Sequence, residues 1–259
     1  MRVLQEPDAA EKARLAEAIL AERGSFDLSL APLAQAPERP ARPSNPPLVD
    51  PKKVARRGLG TNEGRAALLH ALAHIELNAV DLAADMALRF AGAVDDTHRA
   101  SFVADWIQVM GEEGYHFGLL TGRLAAYEHT YGDFPAHDGL WDAARKTMDD
   151  VIGRLAVAPM ILEARGLDVT PGLIRKLDGL GDHASRDVLT QIYNDEIGHV
   201  RIGTKWFKIL VSARGQDPET VFHESVRRYH PQGPKRPFND DARDQAELPR
   251  DWYEGVAPH

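Results

Sequence analysis

The chain has 259 residues, of which 43% are hydrophobic and 27% are charged, and this balance leaves enough apolar side chains for a folded core. Its formal net charge of −8 argues against a protein that coats nucleic acid by bulk charge. The sequence contains no cysteine, which excludes disulfide scaffolds, zinc sites built on cysteine, iron–sulfur clusters and cysteine nucleophiles.

The N-terminal part, residues 1–60, is predicted to form one helix and an arm. Residues 8–23 carry apolar side chains at helical spacing, and Gly24 ends this pattern. The next stretch cannot continue a helix because it is rich in proline, and we expect it to wrap or link as extended chain. Its seven prolines are Pro32, Pro37, Pro40, Pro43, Pro46, Pro47 and Pro51.

The rest of the chain is also predicted to be helical, which makes the fold class all-α. Residues 61–212 contain long helical segments, with breaks at GAVDDT, at HTYGDFPAHDG and between GLDVTPG and GLGDHAS. The third of these helices is expected to end near Arg165. Residues 213–259 are predicted to form a helix over 217–229, capped by Asp217, and a tail that packs on the preceding helices.

The N-terminus lacks the apolar core of a signal peptide, and no run of 18 uncharged apolar residues follows it. We therefore expect a cytoplasmic protein without a membrane partner.

Each of the four long helices carries a glutamate in the middle of its apolar stripe. The second and fourth helices add a histidine three residues later, on the same face. Along the chain the order is therefore Glu, Glu-x-x-His, Glu, Glu-x-x-His. The six residues are Glu76, Glu113, His116, Glu163, Glu196 and His199.

Buried carboxylates that converge repel one another unless a cation lies between them. Carboxylate and imidazole ligands suit iron and manganese, and the order of ligands is that of the ferritin-like di-iron and di-manganese proteins. The sequence therefore predicts two metal ions, with iron favoured over manganese or a mixed Mn/Fe pair. Glu76, Glu113 and His116 would hold one ion and Glu163, Glu196 and His199 the other, with at least one glutamate from each set bridging. The alternative is four helices whose buried glutamates form ordinary salt bridges.

Several segments resemble a bacterial family of uncharacterised ferritin-like domain proteins. They are GTNEGRAALLHALAHIELNAVDLAADM, EEGYH, YGDFPAHDGLW, LEARGLDVTPG, GDHAS, NDEIGHVRIGTKWF and the RPFN stretch. The chain is also similar, more distantly, to the bacterial di-iron hydroxylase of isopentenylated adenosine in tRNA. This resemblance implies a ferritin-like four-helix bundle with an iron-type dinuclear centre, and it implies no particular substrate.

The resemblance also implies roles for the acids that precede the two motif glutamates. In related di-iron oxygenases such an acid often hydrogen-bonds the histidine on the opposite helix. Asp195 would thus orient His116, and Glu112 would orient His199, or either could simply lie at a helix edge.

Other polar residues on these helices allow two interpretations each. Tyr193 lies on the face of Glu196 and could be catalytic, by hydrogen-bonding a ligand or carrying an oxidising equivalent, or could be a core tyrosine. His70 and His74 have metal-pair spacing but lie off the Glu76 stripe, and we interpret them as interface or surface groups. Pro159 must bend or bulge the third helix four residues before Glu163.

Two carboxylate-bridged irons can activate dioxygen, so the leading hypothesis is an oxidase or oxygenase that acts on an organic substrate with dioxygen and an electron donor. The first alternative is a ferroxidase or metal-handling protein without an organic substrate. About a hundred residues lie outside the bundle region, which favours a monomer or dimer with a covered substrate pocket over a storage cage.

A further alternative is a tRNA-modifying hydroxylase, whose RNA substrate would need a basic patch. The sequence offers two clusters of basic residues for it. The first comprises Lys52, Lys53, Arg56 and Arg57, and the second Arg227, Arg228, Lys235 and Arg236.

Overall fold

Two long helices dominate the N-terminal half of this computed structural model, which describes residues 2–28, 36–55 and 57–258. Helix α3 (Asn62–Arg89) begins at Thr61, whose hydroxyl accepts from the backbone N–H of Gly64. Helix α4 (Asp96–Ala125) begins at Asp95, and the two pack along their lengths. Ahead of them lie α1 (Arg2–Gln5) and α2 (Ala9–Ala21).

Helix α2 packs on α4 because α4 has a glycine at the contact. A Cβ at Gly114 would lie only 2.7 Å from the carbonyl oxygen of Ala13. Apart from Lys12, the buried residues of α2 are the small Ala9, Ala13 and Ala16. The short approach of the two helices therefore depends on small side chains on both of them.

The second half of the chain is built on a long helical segment with a π-helical insert. Helix α6 (Val151–Val157) runs into the π-helix Ala158–Glu163, which continues as α7 (Ala164–Gly179). Helix α8 (His183–Ser212) packs on all three. The remaining helices are α5 (Gly139–Lys146), α9 (Pro218–Tyr229), α10 (Asp240–Gln245) and α11 (Arg250–Glu254).

The prediction of an all-helical protein is confirmed, since the described residues form no strand beyond a single β-bridge between Leu48 and Ala136. The helix over 217–229 and its Asp217 cap are also confirmed. Contacts divide the chain into two compact units, unit 1 (Met1–Trp141) and unit 2 (Asp142–His259). The division into 1–60, 61–212 and 213–259 stays a prediction.

The third helix does not end near Arg165, as we expected, but continues as α7 through Pro171. Proline cannot donate the hydrogen bond to the carbonyl four residues earlier, which belongs to Leu167. That carbonyl instead accepts from the side-chain amide of Asn239 at 3.1 Å. A residue 72 positions after Leu167 thus compensates for the proline, and no local sequence pattern indicates this contact.

The insert begins at Ala158, beside Pro159, where the sequence predicts a bend or bulge, and it takes the form of a π-helix. The N–H of Ala164 bonds to the carbonyl of Pro159, five residues back. Helix α8 accommodates the proline ring through Gly203, where a Cβ would lie 2.4 Å from the Cβ of Pro159. Glu163 is the last residue of the insert.

Gly203→Ala is expected to destabilise the protein by about 1–3 kcal/mol, because the new methyl group must push α8 away from the π-helix. Gly198→Ala is the matched control on the same helix, since open space surrounds Gly198. It should be neutral or stabilising by up to about 1 kcal/mol. Chemical unfolding of both variants checks this, and equal effects would contradict it.

Helix α3 is long and apolar enough to cross a membrane by length and composition alone. Of its most apolar 18-residue window, however, 72% is buried within the protein. Burial of this extent is typical of a helix in a protein core.

Candidate metal centre

The predicted ligand set of unit 1 starts from Glu76 in the middle of α3. Leu69, Ala73, Val80 and Ala83 share its stripe and are buried. Glu76 itself is only 5% exposed. A carboxylate at this depth needs a partner, and the neighbouring helix supplies two.

Helix α4 brings Glu113 and His116 to Glu76. Both residues are buried, with exposures of 1% and 0%. The His116 Nδ1 lies 3.4 Å from Glu76 Oε2 and 3.7 Å from Glu113 Oε2. The three side chains that the sequence predicted to bind one ion therefore converge inside one unit.

In this cluster two acids, Glu76 and Glu113, interact with one base, His116. Burial and the nearby charge of Glu113 raise the pKa of Glu76 well above its ordinary value. Burial would lower the pKa of His116, but its hydrogen bonds and charge interactions with Glu113 and Glu76 raise it to about 11. A bound cation would compete with protons for these groups.

The spacing of the three side chains is compatible with a single metal ion. One ligand atom from each of Glu76, Glu113 and His116 lies within 4.8 Å of those of the other two. Metal–ligand bonds of about 2.1 Å place two ligands of one ion up to about 4.2 Å apart. Side-chain movements of a fraction of an ångström would therefore close the set around an ion.

Unit 2 contains the second Glu-x-x-His pair and the remaining glutamate. His199 Nδ1 lies 3.3 Å from Glu196 Oε1 on α8, and the histidine is fully buried. Glu163 lies at the end of the π-helix, and its Oε2 atom is buried. π-Helical inserts occur frequently at functional sites. This insert contains both Pro159 and Glu163.

Two of the residues expected to support the ligands, Glu112 and Tyr193, have identified hydrogen-bond partners within their own units. Glu112 accepts from Gln108 Nε2 at 3.1 Å, one turn earlier on α4. Tyr193 is half-buried, and its hydroxyl oxygen accepts from Asn239 Nδ2 at 3.0 Å. Asp195 is half-buried on α8. The roles of Glu112, Asp195 and Tyr193 stay predictions.

A second polar stripe on α3 corrects our interpretation of His70 and His74 as interface or surface groups. Both are buried, with exposures of 1% and 6%, because the loop over residues 129–138 covers them. His70 Nε2 accepts from the N–H of Gly132, and His74 Nε2 lies 3.1 Å from the carbonyl of His137. They hold this loop, which spacing along the helix alone does not reveal.

The same stripe continues to Asp81 and Asp85, which hold the proline-rich arm. Lys12 Nζ, which is fully buried, donates to Asp81 at 2.6 Å and to the carbonyl of Ala41 at 2.7 Å. Asp85 pairs with Arg89, whose guanidinium also reaches the carbonyl of Pro37. The predicted wrapping arm is thus fixed by polar groups of α3, whereas Pro32 lies outside the described residues.

The two buried histidines make the stability of unit 1 dependent on pH. Burial lowers the pKa of His70 and of His74 to about 4, while an unfolded histidine titrates near 6.5. Between these values the unfolded chain binds more protons, so stability falls as the pH drops from about 6.5 to about 4. Asp81, whose pKa burial raises to about 6, acts in the opposite direction.

His70→Gln should therefore reduce the slope of the unfolding free energy against pH by about 1.4 kcal/mol per pH unit between pH 5 and 6. This corresponds to about one proton fewer taken up on unfolding. Glutamine can still accept from Gly132, and His98→Gln, at an exposed histidine, is the control. Denaturant titrations at several pH values measure the slopes. Identical slopes in His70→Gln and the parent would contradict the prediction.

One residue of each basic cluster has an acidic partner nearby, and RNA binding stays a prediction. Arg57 lies 3.3 Å from Glu63, and Arg236 pairs with Glu254. Lys52 and Lys53 are exposed, whereas Arg56 lies outside the described residues.

Comparison with known proteins places the chain among relatives of undetermined activity. A protein of Haemophilus influenzae, described as "Uncharacterized protein", is 44% identical over 208 residues, which cover 80% of this chain and 72% of that protein. No solved structure matches the chain. The family model described as "Protein of unknown function (DUF455)" matches residues 5–254, and the chain therefore belongs to this family.

Proposed function

We propose that the protein is a dinuclear metal carboxylate enzyme, with iron as the metal, that oxidises an organic substrate with dioxygen. The observation that carries this proposal is the buried cluster of Glu76, Glu113 and His116, with His116 Nδ1 3.4 Å and 3.7 Å from the two carboxylates. A charged cluster at this depth is costly, and a cation that replaces its protons makes it favourable.

The second ligand set supports two ions over one. Glu196 and His199 repeat the Glu-x-x-His geometry on α8, with 3.3 Å between their facing atoms. Glu163 supplies the remaining carboxylate from the π-helix. We propose that the protein is a ferritin-like four-helix bundle in which the two sets share one dinuclear centre, in keeping with the order of the ligands along the chain.

The chain's own residues would have separate tasks. The four glutamates and two histidines hold the metals, which when bound supply the redox chemistry with dioxygen. The apolar residues around Glu76 keep bulk water away from the ligands. The π-helix shifts the register of the third helix before Glu163 and thus sets the direction of that side chain.

Metal analysis of the purified protein tests the proposal. We expect about two iron ions per chain, with magnetic coupling between them in Mössbauer or EPR spectra. A ferroxidase or storage protein would instead accumulate iron well beyond its ligand sets as it consumes dioxygen. Protein reconstituted anaerobically with Fe²⁺ that binds no iron would overturn the proposal, and two uncoupled ions would refute the shared centre.

A further inference from the structure

The side chain of Asn239 connects the C-terminal segment to Tyr193 on α8. Its Nδ2 donates to Tyr193 Oη at 3.0 Å and to the carbonyl of Leu167 at 3.1 Å. Its Oδ1 accepts from the N–H of Ala242 at 3.3 Å, and its own N–H donates to Asp168 at 2.9 Å. Every hydrogen-bonding group of the side-chain amide is therefore engaged except one lone pair of its oxygen.

These partners fix the orientation of the amide. The carbonyl of Leu167 can only accept, so the atom facing it must be the NH₂ group. The N–H of Ala242 can only donate, so the atom facing it must be the oxygen. Both hydrogens of Nδ2 are thereby assigned, and one of them points at the Tyr193 oxygen.

The direction of this hydrogen bond determines what Tyr193 can do. Because its oxygen accepts from Asn239, the tyrosine hydrogen must point elsewhere. Tyr193 lies three residues before Glu196, on the same face of α8. The phenol therefore keeps its hydrogen for an acceptor other than Asn239.

The anchor of Asn239 is rigid. Arg243, one turn later, is fully buried and binds both oxygens of Asp168, at 2.9 Å and 2.8 Å. Its guanidinium also stacks against the rings of Phe238 and Tyr253. A bidentate buried pair of this kind holds the segment on α7 with little freedom.

We infer that Asn239 is a positioning residue that fixes Tyr193 as a proton donor next to the Glu196–His199 pair. This inference rests on the proposed function for the use of that proton. The hydrogen-bond arrangement itself can be tested in protein without metal.

The test is infrared difference spectroscopy of the phenol C–O stretch, with Tyr193→Phe used to identify the Tyr193 band. Donating a hydrogen bond raises this frequency, and accepting one lowers it. Asn239→Ala removes the donor to Tyr193 and should shift the band upward. Asn239→Asp keeps an oxygen for Ala242 but offers only acceptors to Tyr193, so its band should shift further in the same direction.

A second substitution separates the effect of Asn239 on Tyr193 from its effect on the stability of helix α7. Pro171→Ala restores the N–H that can satisfy the carbonyl of Leu167, so Asn239→Ala in that background should fold with its helix content preserved. The Tyr193 band should still shift there. An unshifted band in a folded Pro171→Ala/Asn239→Ala variant would overturn the inference.

Iron-loaded protein supplies the second readout. Asn239→Ala and Tyr193→Phe should both slow the oxidation of bound Fe²⁺ by dioxygen at unchanged iron content, and the double variant should be no slower than Tyr193→Phe. Additive losses in the double variant would contradict a shared role. Failure of the wild-type protein to bind iron would refute the proposed function and, with it, the use of the Tyr193 proton, while leaving the hydrogen-bond result intact.

Discussion

Glu113→Gln should weaken iron binding to the unit 1 ligand set by more than about a hundredfold. Glutamine keeps the volume of the buried side chain but loses the charge that holds the cation. Loss of a residue that merely orients a ligand usually costs about 10–100-fold in metal affinity, and loss of the ligand should cost more. Titration of metal-free protein with Fe²⁺ under anaerobic conditions, followed by metal analysis, measures the effect.

Neighbouring acids on the same helix provide the controls for this variant. Glu112→Gln should cost no more than about 100-fold, because Glu112 is predicted to orient a histidine rather than bind iron. Asp96→Asn should have no effect, since the Asp96 side chain is 88% exposed near the start of α4. Equal iron binding by Glu113→Gln and Asp96→Asn would reject Glu113 as a ligand.

Lys12→Met should destabilise the protein by about 3–5 kcal/mol, because it leaves the Asp81 carboxylate buried without its main partner. Both side chains are fully buried, and the Lys12–Asp81 distance is 2.6 Å. Arg42, at 3.5 Å from the other oxygen of Asp81, would offset part of the loss. Equilibrium unfolding in denaturant measures the change.

Two comparisons distinguish the lost ion pair from a general effect of substitution in α2. Arg14→Met removes an exposed pair with Glu11 and should cost less than about 1 kcal/mol. Lys12→Met combined with Asp81→Leu removes both buried charges and should regain most of the stability. If the double variant is as unstable as Lys12→Met, packing rather than charge explains the effect.

Local signals in the sequence were sufficient for the start of helix α3 and for the buried glutamates. Thr61 caps α3, since a threonine before an apolar periodic segment can satisfy a free N–H. Glu76 and Glu113 are buried because they occupy positions in apolar stripes, and helical periodicity fixes which residues share a face.

Contacts between distant segments could not be predicted from the sequence pattern. From the sequence, the polar stripe of His70, His74 and Asp81 is predicted to lie on the surface. Helical periodicity shows which residues share a face of the helix, but not which segment covers that face. The proline-rich arm and the loop over 129–138 cover it, and burial then lowers the pKa of the histidines. The course of α7 through Pro171 depends on Asn239 in the same way.

The sequence by itself determined the helical class, the absence of thiolate chemistry and the two sets of carboxylates and histidines, because all three depend on composition or on spacing within one helix. Only the tertiary structure decided that Glu76 meets Glu113 and His116, that the third helix contains a π-helical insert, and that Asn239 donates to Tyr193. The physical reason is that each helix first forms its own hydrogen bonds. The polar groups that are left then find partners on neighbouring segments, and spacing within one helix does not show which segments those are.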